Sequence, residues 1–209
     1  MKAGNFFTDS EKAQIATAIK EVEKHTAGEI AVMVVDASDS YPEGNILSGV
    51  ILGGLASLAV TELFLKNSLT FFAILFAGLS LIIGWITAHL PKLKRFFITK
   101  NRLEELVREQ AVQAFLEKGL HKTRDATGVL FFISLFEHKV WILADKGIYS
   151  KISQQELQVY ADDIAEAIRR GSAAEILCRE IARLGEVLAE HFPVRHDDEN
   201  ELSDQVIVG

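Results

Sequence analysis

Three acidic residues stand where apolar runs begin or end. Glu29 opens "EIAVMVV", Asp125 precedes "TGVLFFISLF", and Asp145 closes "KVWILAD". If the runs are strands, with the third turning back on the second, strand order alone brings the three carboxylates to one edge of a sheet. With the hydroxyls of Thr123 and Thr127 nearby they form an oxygen-rich set, the kind that Ca2+ or Mg2+ prefers. A cation held by Glu29, Asp125 and Asp145 would polarise a phosphoryl oxygen, and the chemistry would be metal-dependent phosphate hydrolysis. The competing account is solvation: strand-end acids usually face water, and Arg124 or Lys146 can neutralise them as simple ion pairs. The opposite edge would carry Asp36, Asp39 and Glu137, in or beside loops.

Other reactive side chains are poorly supported by their neighbours. His121 sits in a helix-to-strand loop, where a histidine is more often structural or exposed than an acid or base. Cys178 has no histidine beside it, which favours an inert thiol. There is no glycine-rich phosphate loop, zinc-ligand spacing or serine elbow, so the catalytic residues, if there are any, stay unknown.

The elements that must position these residues can be read from caps and periodicity. Thr8 to Glu11, "TDSE", is a capping box ahead of Ile15, Ile19 and Val22 at i, i+4 and i+7, and Gly28 closes that helix. "EIAVMVV" is apolar on both alternating faces, as a strand covered on both sides must be. Residues 101–118 place Leu103, Leu106, Val107, Ala111, Ala114 and Phe115 on one helical face, with Gly119 as the stop. Two more doubly apolar strands follow, joined by Glu137 and His138 as a tight hairpin. A capping box at Ser153 to Glu156 opens a further helix, and Ser172 to Glu175, "SAAE", opens the last. The first strand, the 101–118 helix and the second strand make a right-handed β-α-β unit, so those strands are parallel and the third is antiparallel beside the second. The expected fold is α/β: a three-layer α/β/α sandwich with a small mixed sheet.

The first connection of that unit is unlike the rest of the chain. Between Ile46 and Leu90 the only formal charges are Glu62 and Lys66, although charged residues make up 24% of the 209 residues. Two runs, 46–65 and 69–90, are separated by "KNS". At about 1.5 Å rise per residue, each covers roughly 30 Å, the thickness of a hydrocarbon core. A buried hairpin in a soluble protein is the alternative, but such helices seldom lack a polar stripe over this length. The expectation is a transmembrane helical hairpin, with Gly49 and Gly53 as a small-xxx-small pair for a partner helix or a second copy. Lys92, Lys94, Arg95, Lys100 and Arg102 follow the second run, against Lys66 alone in the turn, which puts both flanks in the cytoplasm.

Composition narrows the remaining classes. A net charge of −7 argues against a nucleic-acid partner, and one cysteine excludes an internal disulfide framework. The amino terminus lacks a basic segment followed by an apolar one, so no cleavable signal is expected. The domain organisation read from the sequence is 1–45 as the first part of an α/β domain, 46–90 as the hairpin, 91–193 as the remainder, and 194–209 as an acidic disordered tail.

The segments "TAGEIAVMVV", "HKTRDATGVLFFISLFEHKVWILADKGI" and "EHFP" resemble the TPM domain, a family of thylakoid, photosystem-repair and bacterial proteins. The chain looks most like the bacterial membrane-anchored subgroup, in which a transmembrane hairpin interrupts the domain after its first strand. The resemblance implies a small mixed sheet between helices and a role in membrane-protein assembly or repair. It also implies divalent-cation binding in some members and acid-phosphatase activity in some. Where many members carry G-Y-G-x-E after the third strand, this chain has "ADKGI" and keeps only Gly147. The expectation is therefore an integral membrane protein of the plasma or inner membrane. It would present this domain at the cytoplasmic face as an accessory or interaction module in membrane-protein assembly, repair or stress response, with Ca2+ or Mg2+ as the cation. Its partners would be the lipid bilayer and a membrane protein; the alternative is a metal-dependent membrane-bound phosphatase.

Overall fold

The computed structural model describes residues 2–64, 68–194 and 205–209. The chain divides into two compact units, one of Met1–Ser38 with Glu104–Gly209 and one of Asp39–Leu103.

The first unit is built on a four-stranded mixed sheet in the order β3-β2-β1-β4. Its strands are β1 (Glu29–Val35), β2 (Gly128–Ser134), β3 (Lys139–Ala144) and β4 (Ile207–Val208). β1 and β2 run parallel in the register Glu29↔Gly128 to Val35↔Ser134, and β3 is antiparallel to β2. This is the expected topology for the first three strands. All seven residues of both β1 and β2 are buried, because helices cover both faces.

One face carries Ile30, Val32, Val34, Phe131, Ile133 and Ile142. It packs on residues of α1 (Asp9–Glu23), α7 (Gln154–Arg170) and α8 (Ala173–His191). The other carries Ala31, Met33, Val35, Leu130 and Phe132 against Val107, Ala111, Ala114 and Phe115 of α5 (Lys100–Glu117). The sandwich is thus unequal, with several helices on one side and α5 on the other. α8 also carries a fully buried carboxylate, Glu180, neutralised by Arg179 at 2.9 Å and Arg183 at 2.5 Å.

Local signals explain most boundaries. Thr8 and Glu11 cap α1 reciprocally, and Ser153 and Glu156 do the same for α7. Gly119 and Gly171 take φ of 78° and 80° after α5 and α7, a region open to glycine at little cost. Ser172 opens α8 as expected, but its backbone lies at φ −115°, ψ 32°, outside the extended conformation that aims a capping hydroxyl, and its side chain makes no cap bond.

Two expectations are corrected. The β2–β3 connection is four residues, Leu135 to His138, rather than Glu137 and His138 alone. Leu135 and Phe136 donate their N–H groups to Val35 O and Asp36 O, so they follow β1 beyond the point where β3 can pair. His138 closes the turn at φ 48°. The second correction concerns the tail expected to be disordered over 194–209. Ile207 and Val208 form β4, parallel to β1 opposite Met33 and Val34, and Gly209 N–H donates to Val34 O. The acidic run 195–204 lies outside the described residues.

The second unit holds α2 (Pro42–Phe64), α3 (Leu69–Ala88) and the short α4 (Pro91–Phe96). α2 starts at Pro42, the helix position where a missing N–H costs nothing. α2 and α3 pack as a hairpin through small residues. A methyl group at Gly49 would sit 2.5 Å from Ser80 O, and one at Gly53 would sit 2.7 Å from Ser80 Cα. The small-residue pair therefore seats the neighbouring helix of the same chain. Hydroxyls along the hairpin return to the backbone: Ser57 donates to Gly53 O and Thr87 to Ile83 O. Both helices are long and apolar enough to cross a membrane, with mean hydropathy of 1.8 and 2.3 over their best windows. None of the α3 window is buried by protein, against 28% of the α2 window.

Candidate functional site

Register fixes the edge where Glu29 and Asp145 meet. Glu29 pairs with Gly128, and Asp145 N–H donates to Gly128 O at 2.9 Å, so the two acids flank one glycine from the strands on either side. All three positions belong to the sheet face covered by α5, because they are in phase with Ala31, Leu130 and Leu143. Glu29 is 7% exposed and Asp145 half-buried. Asp145 also caps α6 (Lys146–Tyr149), with one carboxylate oxygen accepting from Lys146 N–H at 2.6 Å. Its other oxygen, Oδ2, is buried without a protein partner.

The loop that should complete the set is spent on backbone. Thr127 Oγ1 donates to Ala27 O at 2.6 Å, and Thr123 Oγ1 accepts from Thr127 N–H at 3.1 Å. Both threonines are buried, with their hydroxyls engaged by backbone groups. Asp125 is exposed, and its backbone turns toward α6: Gly147 N–H donates to Ala126 O, and a methyl group at Gly147 would fall 2.5 Å from that oxygen. At Gly128 a methyl group would meet Leu120 O at 2.3 Å. The Leu120 carbonyl therefore occupies the ground between Glu29 and Asp145. Among the described residues no group of three His, Cys, Asp or Glu side chains is gathered so as to hold a metal ion. Strand topology delivers two of the expected carboxylates to a common register, and the loop leaves the third outside. The donor set present does not fit a three-carboxylate cation centre, and no hydrolytic step is derived from it.

The opposite edge is better ordered than the sequence suggests. Glu137 is fully buried; Oε1 accepts from Ser38 N–H at 2.8 Å, and Oε2 accepts from the hydroxyl of Ser134. Ser38 Oγ lies 3.0 Å from Ser134 Oγ, and Asp36 accepts from Ala3 N–H. The arrangement ties the end of β1 to the β2–β3 turn. A polar residue at the last position of an otherwise apolar strand, Ser134, with an acid three residues on, was the available signal.

The remaining reactive groups behave as expected. His121 is exposed in the 3-10 turn Leu120–Lys122. Burial pushes the Cys178 thiol up, away from the reactive thiolate.

Fold and edges together define a mixed-sheet α/β/α domain, interrupted in sequence by a helical hairpin. The TPM domain family model, TPM_phosphatase, matches residues 93–184, so the chain carries a TPM domain there. That match begins after α2 and α3, yet β1, which precedes them, is paired along its whole length with β2 inside it. Among solved structures, the NMR structure of the BA42 protein from the psychrophilic bacterium Bizionia argentinensis is similar, with a TM-score of 0.61 at 20% identity. The likeness covers 98% of this chain and 96% of that one, and it is a likeness of fold. No curated protein matches the chain.

Proposed function

We propose that the protein is a membrane-tethered TPM-domain module, held at the cytoplasmic face and acting in the assembly, repair or stress response of membrane proteins. The observation that carries this reading is the hairpin in the β1–β2 connection. Its outer surface is apolar, with Ile46, Leu55, Leu58, Ile74 and Leu81 all more than half exposed, which water penalises and lipid does not. An anchor leaving from inside the domain ties the sheet to the membrane at two chain crossings rather than by one terminal tether. Lys92 and Lys100 are exposed after α3, in keeping with a cytoplasmic flank.

The test uses extraction and one-sided labelling. The full chain is expected to stay with membranes through alkaline carbonate. An impermeant maleimide added outside is expected to label Ser68→Cys and not Lys92→Cys. Release by carbonate, or labelling of Lys92→Cys from outside, would overturn the reading. A membrane-protein partner is tested by cross-linking and co-purification, and recovery of no reproducible partner counts against the accessory role.

A further inference from the structure

We propose that a single water molecule is a fixed part of the domain, held at the outer edge of β3 between Trp141 and Gln158. β3 ends the sheet, so half of its backbone groups have no neighbouring strand. Because Asp145 N–H points to Gly128, the odd-numbered residues of β3 bond to β2, and Val140, Ile142 and Ala144 face outward. Two of these are met by side chains that stand in for a strand. Ala144 N–H donates to the Tyr149 hydroxyl at 3.3 Å, which donates to Gln154 Oε1 at 2.6 Å, while Gln154 Nε2 donates to Ile142 O at 3.2 Å.

That substitute strand stops short of Val140, where a small cavity opens. It is lined by Val140, Trp141, Gln158, Val107 and the ion pair of Lys139 with Glu104, whose atoms are 2.9 Å apart. Two buried polar atoms border it without a protein partner, Trp141 Nε1 and Gln158 Oε1. They are complementary: an indole nitrogen only donates, and an amide oxygen only accepts. The orientation of the Gln158 amide is set by its other end, since Nε2 donates to the Asp162 carboxylate at 2.9 Å and so leaves Oε1 toward the cavity. A ligand for this place needs one acceptor and one donor, and the space suits a group the size of water. Water accepts from the indole, donates to Gln158, and keeps a second proton for the outward-facing carbonyl of Val140. It completes the seal of an edge that would otherwise pair with another chain.

The inference is independent of the membrane reading, and it is tested on the full chain in detergent by NMR. The indole proton of Trp141 is assigned with Trp141→Phe, which separates it from that of Trp85. The expected result is a cross-peak from that proton to a long-lived water, lost in Gln158→Met. Melting-temperature losses of Trp141→Phe and Gln158→Met should also fail to add in the double variant, because each removes the same bridge. No water cross-peak, a cross-peak that survives Gln158→Met, or fully additive losses would each overturn it.

Discussion

Removing the Glu137 side chain takes the acceptor from the part-buried Ser38 N–H and from the buried Ser134 hydroxyl. Each such loss costs about 1–3 kcal/mol. Glu137→Ala is therefore expected to lower the stability of the α/β unit by about 3 kcal/mol, read as a fall in its thermal midpoint. Ser38→Ala, which keeps the backbone donor, should cost far less. The same scale governs acid sensitivity. Hydrogen bonds from Thr8 hold Glu11 below the ordinary glutamate value of 4.5, and those from Ser153 do the same for Glu156. A carboxylate depressed in the folded state stabilises above the unfolded value, and that contribution is lost as pH falls through the lower folded value. Helix content measured by circular dichroism should thus decline below pH 4.5, with a smaller decline in Glu11→Gln/Glu156→Gln. These capping boxes were legible because a box is a four-residue signal. The Glu137 tie was not, because Ser38 and Glu137 lie 99 residues apart and only the register of β1 on β2 brings them together. Asp125 shows the converse. Its position before β2 pointed to the shared edge, but its exposure was decided by the turn toward Gly147, which no periodicity encodes.

At the scale of elements, the two outer edges of the sheet are closed by different means. β1 is closed by β4 at one end, while Glu23 Oε1 accepts from Ile30 N–H at 3.0 Å at the other. β3 is closed by Tyr149 and Gln154. Burial raises the Tyr149 phenol above its ordinary value of 10.0. The folded state therefore favours the neutral hydroxyl, and this contribution is full below the unfolded value and lost as pH rises through the folded one. Tyr149→Phe should flatten the alkaline limb of the stability profile. Glycines divide the helices just as sharply. Gly49→Ala and Gly53→Ala force backbone apart between α2 and α3 and are expected to destabilise the hairpin, whereas a methyl group at Gly78 meets nothing within 4 Å. Gly78→Ala should be neutral or stabilising by about 0.5–1 kcal/mol, read by unfolding in detergent. The long helices and the first three strands were legible from period and caps. β4 was not, since "VIV" after an acidic run becomes a strand only when an open edge is offered.

At the scale of the whole molecule, the α/β unit is assembled from segments on both sides of the hairpin in the sequence. Replacing residues 39–103 by a flexible linker is expected to yield a chain that needs no detergent and keeps the β1–β2 pairing. Amide cross-peaks between Ile30–Val35 and Val129–Ile133 check this, and loss of those cross-peaks would show that α2 and α3 take part in the fold. The interruption also imposes a schedule on biosynthesis. At roughly 5–20 residues per second, β1 leaves the ribosome about 5–20 seconds before its parallel neighbour exists. Throughout that interval a strand apolar on both faces is exposed, while the next segment made is the greasiest in the chain. On the membrane-tethered reading proposed above, delivery of the nascent chain to the insertion machinery is what stands between β1 and aggregation. On that reading, a cell short of the machinery loses this protein before its sheet has ever closed.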